Sequence, residues 1–150
     1  ICPQCVEITE HGCKKSGITS ASFPELTKIG NAAFDGCNRV KAIAIPKITA
    51  LGVYTSSIFR NCKAMQTLDV GSIGHAVTSW GSGNFDGCTQ SGLVVTMYTT
   101  GEKVDTLNAS IRDGATNATI IIKAAEDTTY NGATYAAGDT ILTSTPEAST

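Results

Sequence analysis

Charged side chains are scarce in this 150-residue chain: Asp, Glu, Lys and Arg together make up 16%, well below the usual quarter of a globular domain. Eleven Lys and Arg stand against 13 Asp and Glu, a formal charge of -2, and the only adjacent basic pair is Lys14-Lys15. A sequence without clustered cations offers no electrostatic footprint for nucleic acid or an anionic membrane. Long apolar runs are missing too. The densest, Ala118 to Ala125, is broken by Thr119 and Lys123, so no segment suits a membrane-spanning helix. Histidine is reduced to His11 and His75, and no nucleophile elbow, phosphate loop, dinucleotide fingerprint or calcium loop is present. With so poor an inventory for catalysis, neither an enzyme nor a cofactor is expected. The chain also opens on Ile1 without a basic-then-apolar leader, so an amino-terminal portion is expected to precede it.

Threonine, serine and asparagine fill the polar positions instead, beside 15 glycines and 41% hydrophobic residues. That suffices for one modest core and favours strands and turns over long helices. Six cysteines exceed ordinary usage without reaching the density of a disulfide-stapled mini-protein, so their spacing decides what they do.

Four of them form a ladder, Cys13, Cys37, Cys62 and Cys88, with separations of 24, 25 and 26 residues, a period that signals stacked repeats. Phe34-Asp35-Gly36-Cys37, Phe59-Arg60-Asn61-Cys62 and Phe85-Asp86-Gly87-Cys88 share one pattern, an aromatic three before the cysteine and a turn residue just before it. Apolar residues follow each cysteine at regular offsets: Val40, Ile43 and Ile45, then Met65, Leu68 and Val70. The last two of each trio alternate like a strand. In the third copy Leu93, Val95 and Met97 slip by one, which a small deletion in a turn would produce. A second string repeats as well, Phe23-Pro24-Glu25-Leu26-Thr27-Lys28-Ile29-Gly30 matching Ile45-Pro46-Lys47-Ile48-Thr49-Ala50-Leu51-Gly52 at every apolar, proline and glycine position. Proline cannot donate to a ladder and glycine permits positive φ, so these residues turn the chain at one corner in each copy. A 25-residue unit cannot bury its apolar face alone, but stacked units bury Phe34, Phe59 and Phe85 as one column and the strand residues as another.

These residues closely resemble the leucine-rich repeats of the BspA type, also described from a Treponema protein. Leu26, Ile29-Gly30, Ala33-Phe34, Cys37, Val40, Ile43 and Ile45-Pro46 reproduce that unit almost in order. The resemblance implies a repeat solenoid, leucine-rich-repeat-like, mainly β with short helical turns and a right-handed coil. Residues 1–22 are expected to form an amino-terminal cap or degenerate repeat, 23–100 the solenoid, 101–143 a degenerate repeat with a β-hairpin cap, and 144–150 a tail.

In the carboxyl-terminal third, Ser110 to Ala115 followed by Ile120-Ile121-Ile122 reads as a degenerate fourth copy, with Ile111 and Ala115 in the Phe and Cys places. Asn131-Gly132 between β-prone flanks is a strong hairpin signal, and Gly138-Asp139 offers a second turn before Thr140-Ile141-Leu142-Thr143.

Local motifs are weighed against plainer roles. Cys2-Pro3-Gln4-Cys5 with His11 or Cys13 could hold zinc, form a local or mixed disulfide, or remain unpaired thiols; a strong zinc site needs a second spaced pair that is absent. The ladder cysteines read as free buried thiols, because parallel Cβ vectors on neighbouring rungs make the disulfide dihedral awkward. His75, in a loop-like insertion, reads as a surface histidine. Asp35 and Asp86 read as turn caps, and Trp80 as core in the slot of Ile29 and Leu51. Asn108-Ala109-Ser110 and Asn117-Ala118-Thr119 are glycosylation sequons on paper only.

A solenoid offers a broad, shallow face rather than a reactive cleft. The outward strand positions, Lys41, Ala42, Ala44, Gln66, Thr67, Asp69, Val94 and Thr96, are the candidate binding residues, facing a protein or glycan ligand. The resemblance implies a non-enzymatic interaction or adhesion module of a bacterial surface or secreted protein, extracellular or at the cell surface. The alternative is a bacteriophage virion component, a tail-fibre or decoration protein, which would be a homo-oligomer. No metal, nucleic acid or membrane insertion is expected.

Overall fold

The computed structural model describes residues 4–55 and 57–146, with the backbone alone described at 51–55 and 80–82. Among the described residues twelve strands, one 3-10 turn (Gly101–Lys103, just before α1) and one α-helix follow in order: β1 (Glu7–Ile8), β2 (Ser20–Ser22), β3 (Lys28–Ile29), β4 (Ala42–Ile45), β5 (Ala50–Thr55), β6 (Thr67–Val70), β7 (Ser79–Ser82), β8 (Val94–Thr99), α1 (Val104–Gly114), β9 (Thr119–Ala124), β10 (Thr128–Tyr130), β11 (Ala133–Tyr135) and β12 (Thr140–Ser144). One strand from each repeat enters a six-stranded sheet ordered β12-β9-β8-β6-β4-β2. Within it β2, β4, β6, β8 and β9 are parallel, and only β12 is antiparallel.

Register ties the repeats together. Ala21, Ile43, Leu68, Val95 and Ile120 pair as successive rungs, followed two residues on by Ile45, Val70, Met97 and Ile122. All are buried. Because side chains alternate across a strand, these two columns fill one face and leave the intervening residues outside. The one-residue slip in the third copy is present, but its expected cause, a deletion, is corrected. Val95 stands seven residues after Cys88, whereas Ile43 and Leu68 stand six after Cys37 and Cys62, so the turn gains a residue rather than losing one. Gly92, at φ +86 with open space around it, lies in that longer turn.

The Phe-x-x-Cys corner builds a second rung-to-rung ladder. Phe34 N donates to Ile58 O at 2.9 Å and Gly36 N to Arg60 O at 2.8 Å, and one turn further Phe59 N donates to Asn84 O and Asn61 N to Asp86 O. The residue before each cysteine is left-handed, at φ 73 for Gly36, 60 for Asn61 and 79 for Gly87, a conformation that glycine and asparagine tolerate best. Behind the corner the rings of Phe34 and Phe59 stack at 5.8 Å and 9°, and those of Phe59 and Phe85 at 5.6 Å and 23°. Phe23 continues the column at 6.0 Å, tilted by 46°. Short parallel pairs, β1 with β3 and β5 with β7, add a third set of bonds away from the main sheet.

The fourth copy keeps its strand and changes its corner. β9 pairs parallel with β8 over six residues, but the stretch before it is an eleven-residue α-helix, not another short turn. Val104, Leu107 and Ile111 are buried at helical spacing, and Ala118 N donates to Ala115 O much as Met65 N does to Cys62 O. Ala115 therefore holds the cysteine place. Gly114 lies so close to the carbonyl of Phe85 that a Cβ would collide with it, which explains a glycine at the end of the helix. Arg112 fastens this turn, donating to Ala118 O at 2.5 Å and to Ser144 O at 3.1 Å. Ser144, assigned to the tail from sequence, is the last residue of β12. Left-handed Asn131 and Gly132 turn β10 into β11.

Phe59 lies between two other rings, is fully buried and has no room to relax. Phe59→Ala is expected to cost about 3–5 kcal/mol in urea unfolding, and Phe59→Leu clearly less. An unchanged midpoint for the alanine variant would show that the column carries no stability.

Candidate binding surface

The outward columns of the sheet follow from the same register. Ser20, Ala42, Thr67, Val94 and Thr119 form one, and Ser22, Ala44, Asp69, Thr96 and Ile121 the next. Of the residues singled out from sequence, Lys41, Gln66, Thr67 and Asp69 are exposed, while Ala42, Ala44, Val94 and Thr96 are half-buried. Lys41 and Gln66 precede their strands and sit at the same level, since Gln66 N donates to Lys41 O at 2.8 Å. Sequence reasoning missed Ser20, Ser22, Thr119 and Ile121, because β2 and β9 lie outside the best-matching copies. It also missed Tyr98 and Lys123, paired across β8 and β9 with the Lys123 ammonium 5.9 Å from the ring centre. This face is small and polar at its amino-terminal rungs and more apolar toward β8 and β9.

A different surface lies at the cysteine corner. A groove of about 780 Å³ there is lined by Lys14, Lys15, Arg39, Arg60 and Lys63 with a single carboxylate, Asp35. Sequence reading found no cation cluster beyond Lys14-Lys15, because these residues are far apart along the chain and become neighbours only when the turns stack. Asp35 is not merely a turn cap. Its buried carboxylate accepts two bonds from Arg60 on the next turn, Nε to Oδ1 at 3.2 Å and Nη2 to Oδ2 at 2.7 Å, with Lys14 Nζ 3.7 Å away. The bonds from Arg60 hold the Asp35 carboxyl below the usual carboxylate range.

The cysteines are structural. Cys62 Sγ donates to Phe34 O at 3.1 Å and Cys88 Sγ to Phe59 O at 3.0 Å, each reaching back one turn, and Cys37 Sγ donates to Cys13 O at 3.0 Å. Burial pushes the Cys88 thiol up to about 11 and raises those of Cys37 and Cys62 as well. Each therefore keeps the proton it donates and is a poor nucleophile. All five described cysteines are unpaired, with Cys5 and Cys13 only half-buried. Cys2 lies outside the described residues. Among the described residues no three His, Cys, Asp or Glu side chains gather where a metal ion could sit.

The remaining candidates are scattered. His11 is exposed beside Glu10, 3.8 Å away. His75 is half-buried in a tight turn, its N donating to Ser72 O at 2.9 Å. The Trp80 side chain lies outside the described residues, although its backbone pairs with Leu51 as its slot required. Asn108 is half-buried on α1 with its Oδ1 covered, and Asn117 is exposed with its Nδ2 donating to Thr89 O at 2.6 Å.

Repeats that pair strand on strand, with like residues in columns and one small helix, define a β-rich repeat protein. The chain belongs to the BspA-type leucine-rich repeat family: the model for the BspA type Leucine rich repeat region matches residues 6–122 in six copies. That match reaches past 23–100 at both ends. Domains of this family are generally protein-interaction or adhesion modules and typically not enzymes. No curated protein and no solved structure matches the chain.

Two outcomes are expected. In the native protein a thiol reagent labels Cys5 and Cys13 while Cys37, Cys62 and Cys88 react only on unfolding, read by peptide mapping; native labelling of Cys62 would contradict the packed corner. A carboxyl whose pKa is lowered on folding stabilises fully above the ordinary value of about 4, and that contribution fades as pH falls through the folded value. The melting-temperature advantage of the native protein over Asp35→Asn should therefore shrink between about pH 5 and about pH 2, and a constant gap would mean that the ion pair contributes nothing.

Proposed function

We propose that this chain is a non-enzymatic interaction or adhesion module of a bacterial surface or secreted protein, acting outside the cell. Its stacked turns would form a right-handed solenoid closed at the carboxyl end by the β10–β11 hairpin and β12, with 1–22 and 101–143 flanking the regular repeats of 23–100. Parallel strands joined by crossovers are right-handed in nearly all proteins, which favours that hand. The observation that carries the reading is the in-register outward face of β2, β4, β6, β8 and β9. Such a face offers many aligned shallow contacts and no deep pocket, the geometry of recognition rather than turnover. Lys41, Ala42, Ala44, Gln66, Thr67, Asp69, Val94 and Thr96 are its proposed contacts with a protein or glycan ligand. Gln66 and Asp69 are exposed on one turn of chain, just before β6 and within it, and can meet a partner without disturbing the core.

Beads coated with the protein are expected to bind epithelial cells, and Gln66→Ala with Asp69→Ala should weaken that binding several-fold at an unchanged melting temperature. Undiminished binding would place the contact elsewhere. A virion component would instead assemble into oligomeric particles, which size-exclusion chromatography with light scattering detects.

A further inference from the structure

We propose that the groove at the cysteine corner binds a linear sulfated glycan, with Lys14, Lys15, Arg39 and Lys63 holding the sulfates. This site is separate from the proposed sheet face and stands without it. The four cations occupy equivalent places, each following the cysteine of its turn by one or two residues: Lys14 and Lys15 after Cys13, Arg39 after Cys37, Lys63 after Cys62. Thr89 follows Cys88, so the row ends after three turns. Turns stacked at about 4.8 Å put the row over a span of about 10 Å, the reach of a short oligosaccharide.

The row has little counter-charge, only Lys14 reaching a carboxylate, that of Asp35 at 3.7 Å. Asp35 is the only carboxylate in the lining, its side chain is 5% exposed, and it is already held by Arg60. Among the described residues Lys15, Arg39 and Lys63 make no ion pair. Five cations gathered on one wall around a single carboxylate repel one another, and an anionic ligand relieves that repulsion. Asn38 and Asn61 line the same groove and offer amide donors and acceptors for sugar hydroxyls.

Other polyanions fit less well. The lining carries no aromatic ring, so single-stranded nucleic acid finds no platform for its bases. It carries no large apolar side chain either, which a membrane surface or an acidic peptide would use. A sulfated sugar chain needs only cations and hydrogen-bonding groups, and those are what the groove supplies.

The test is titration calorimetry with a size-defined heparin hexasaccharide at about 0.15 M salt. Binding should be lost with the desulfated hexasaccharide and weaken about tenfold or more in Arg39→Glu with Lys63→Glu. Lys28→Glu with Lys103→Glu, which changes the net charge equally elsewhere, should bind within about twofold of the native protein. Circular dichroism melts check both variants, and Arg39→Ala with Lys63→Ala replaces the reversal should it lower the melting temperature. The proposal is overturned by absence of binding, by equal loss in the control variant, or by equal binding of the desulfated sugar. It is also overturned if an oligothymidylate, an oligoglutamate or a phosphatidylserine vesicle of matched charge competes as strongly as the hexasaccharide.

Discussion

Each turn of this protein is tied to the turns before and after it by in-register hydrogen bonds, while the bonds within a turn close only its short corners. The bonds run at three places: the main sheet, the Phe-x-x-Cys corner, and the short pairs β1–β3 and β5–β7. Net, each is worth only about 1 kcal/mol, so their effect lies in number and in register. Because like positions meet, a residue that suits one turn must also suit its neighbours. Gly87 shows the constraint: a Cβ there would run into the amide of Asn61, the residue at the same place one turn earlier.

The cysteine ladder is a product of this constraint rather than a reactive feature. Phe34 O accepts both Cys37 N, its own turn's bond at 3.1 Å, and Cys62 Sγ from the next turn. Phe59 O does the same for Cys62 N and Cys88 Sγ. A carbonyl has two lone pairs, and the second is filled by a group that is otherwise apolar and small. Alanine would leave that lone pair empty, and valine would branch in a fully buried corner. The thiol serves the backbone, and burial keeps it protonated for the task.

Period made the repeats legible. Cysteine at intervals of 24 to 26 residues, with phenylalanine three before Cys37, Cys62 and Cys88, identifies the corner, the ring column and the strands β4, β6 and β8. What the pattern hid is equally physical. Val104, Leu107 and Ile111 carry a helical spacing, yet a fourth copy of the short corner was expected in their place, and helix α1 was missed. The Asp35–Arg60 pair joins residues one turn apart, so recurrence of Asp35 and Asp86 within their own turns suggested only local capping. The cation row escaped for the same reason. Sequence reading sees neighbours along the chain, whereas a stack makes neighbours of residues about 25 apart.

Stacking also converts sequence distance into distance along the sheet, and this gives the net charge of -2 a direction. Residues 1–66 hold eight Lys and Arg against four Asp and Glu; residues 67–150 hold three against nine. Four rung spacings separate β2 from β9, about 19 Å, against a screening length of about 8 Å at physiological salt. The positive and negative regions are therefore felt separately by anything that approaches. An anionic ligand would be drawn to the amino-terminal turns and repelled from the carboxyl-terminal ones, and so oriented before contact. Near-neutrality of the whole chain is no argument against recognition by charge when the fold sorts the charges by turn.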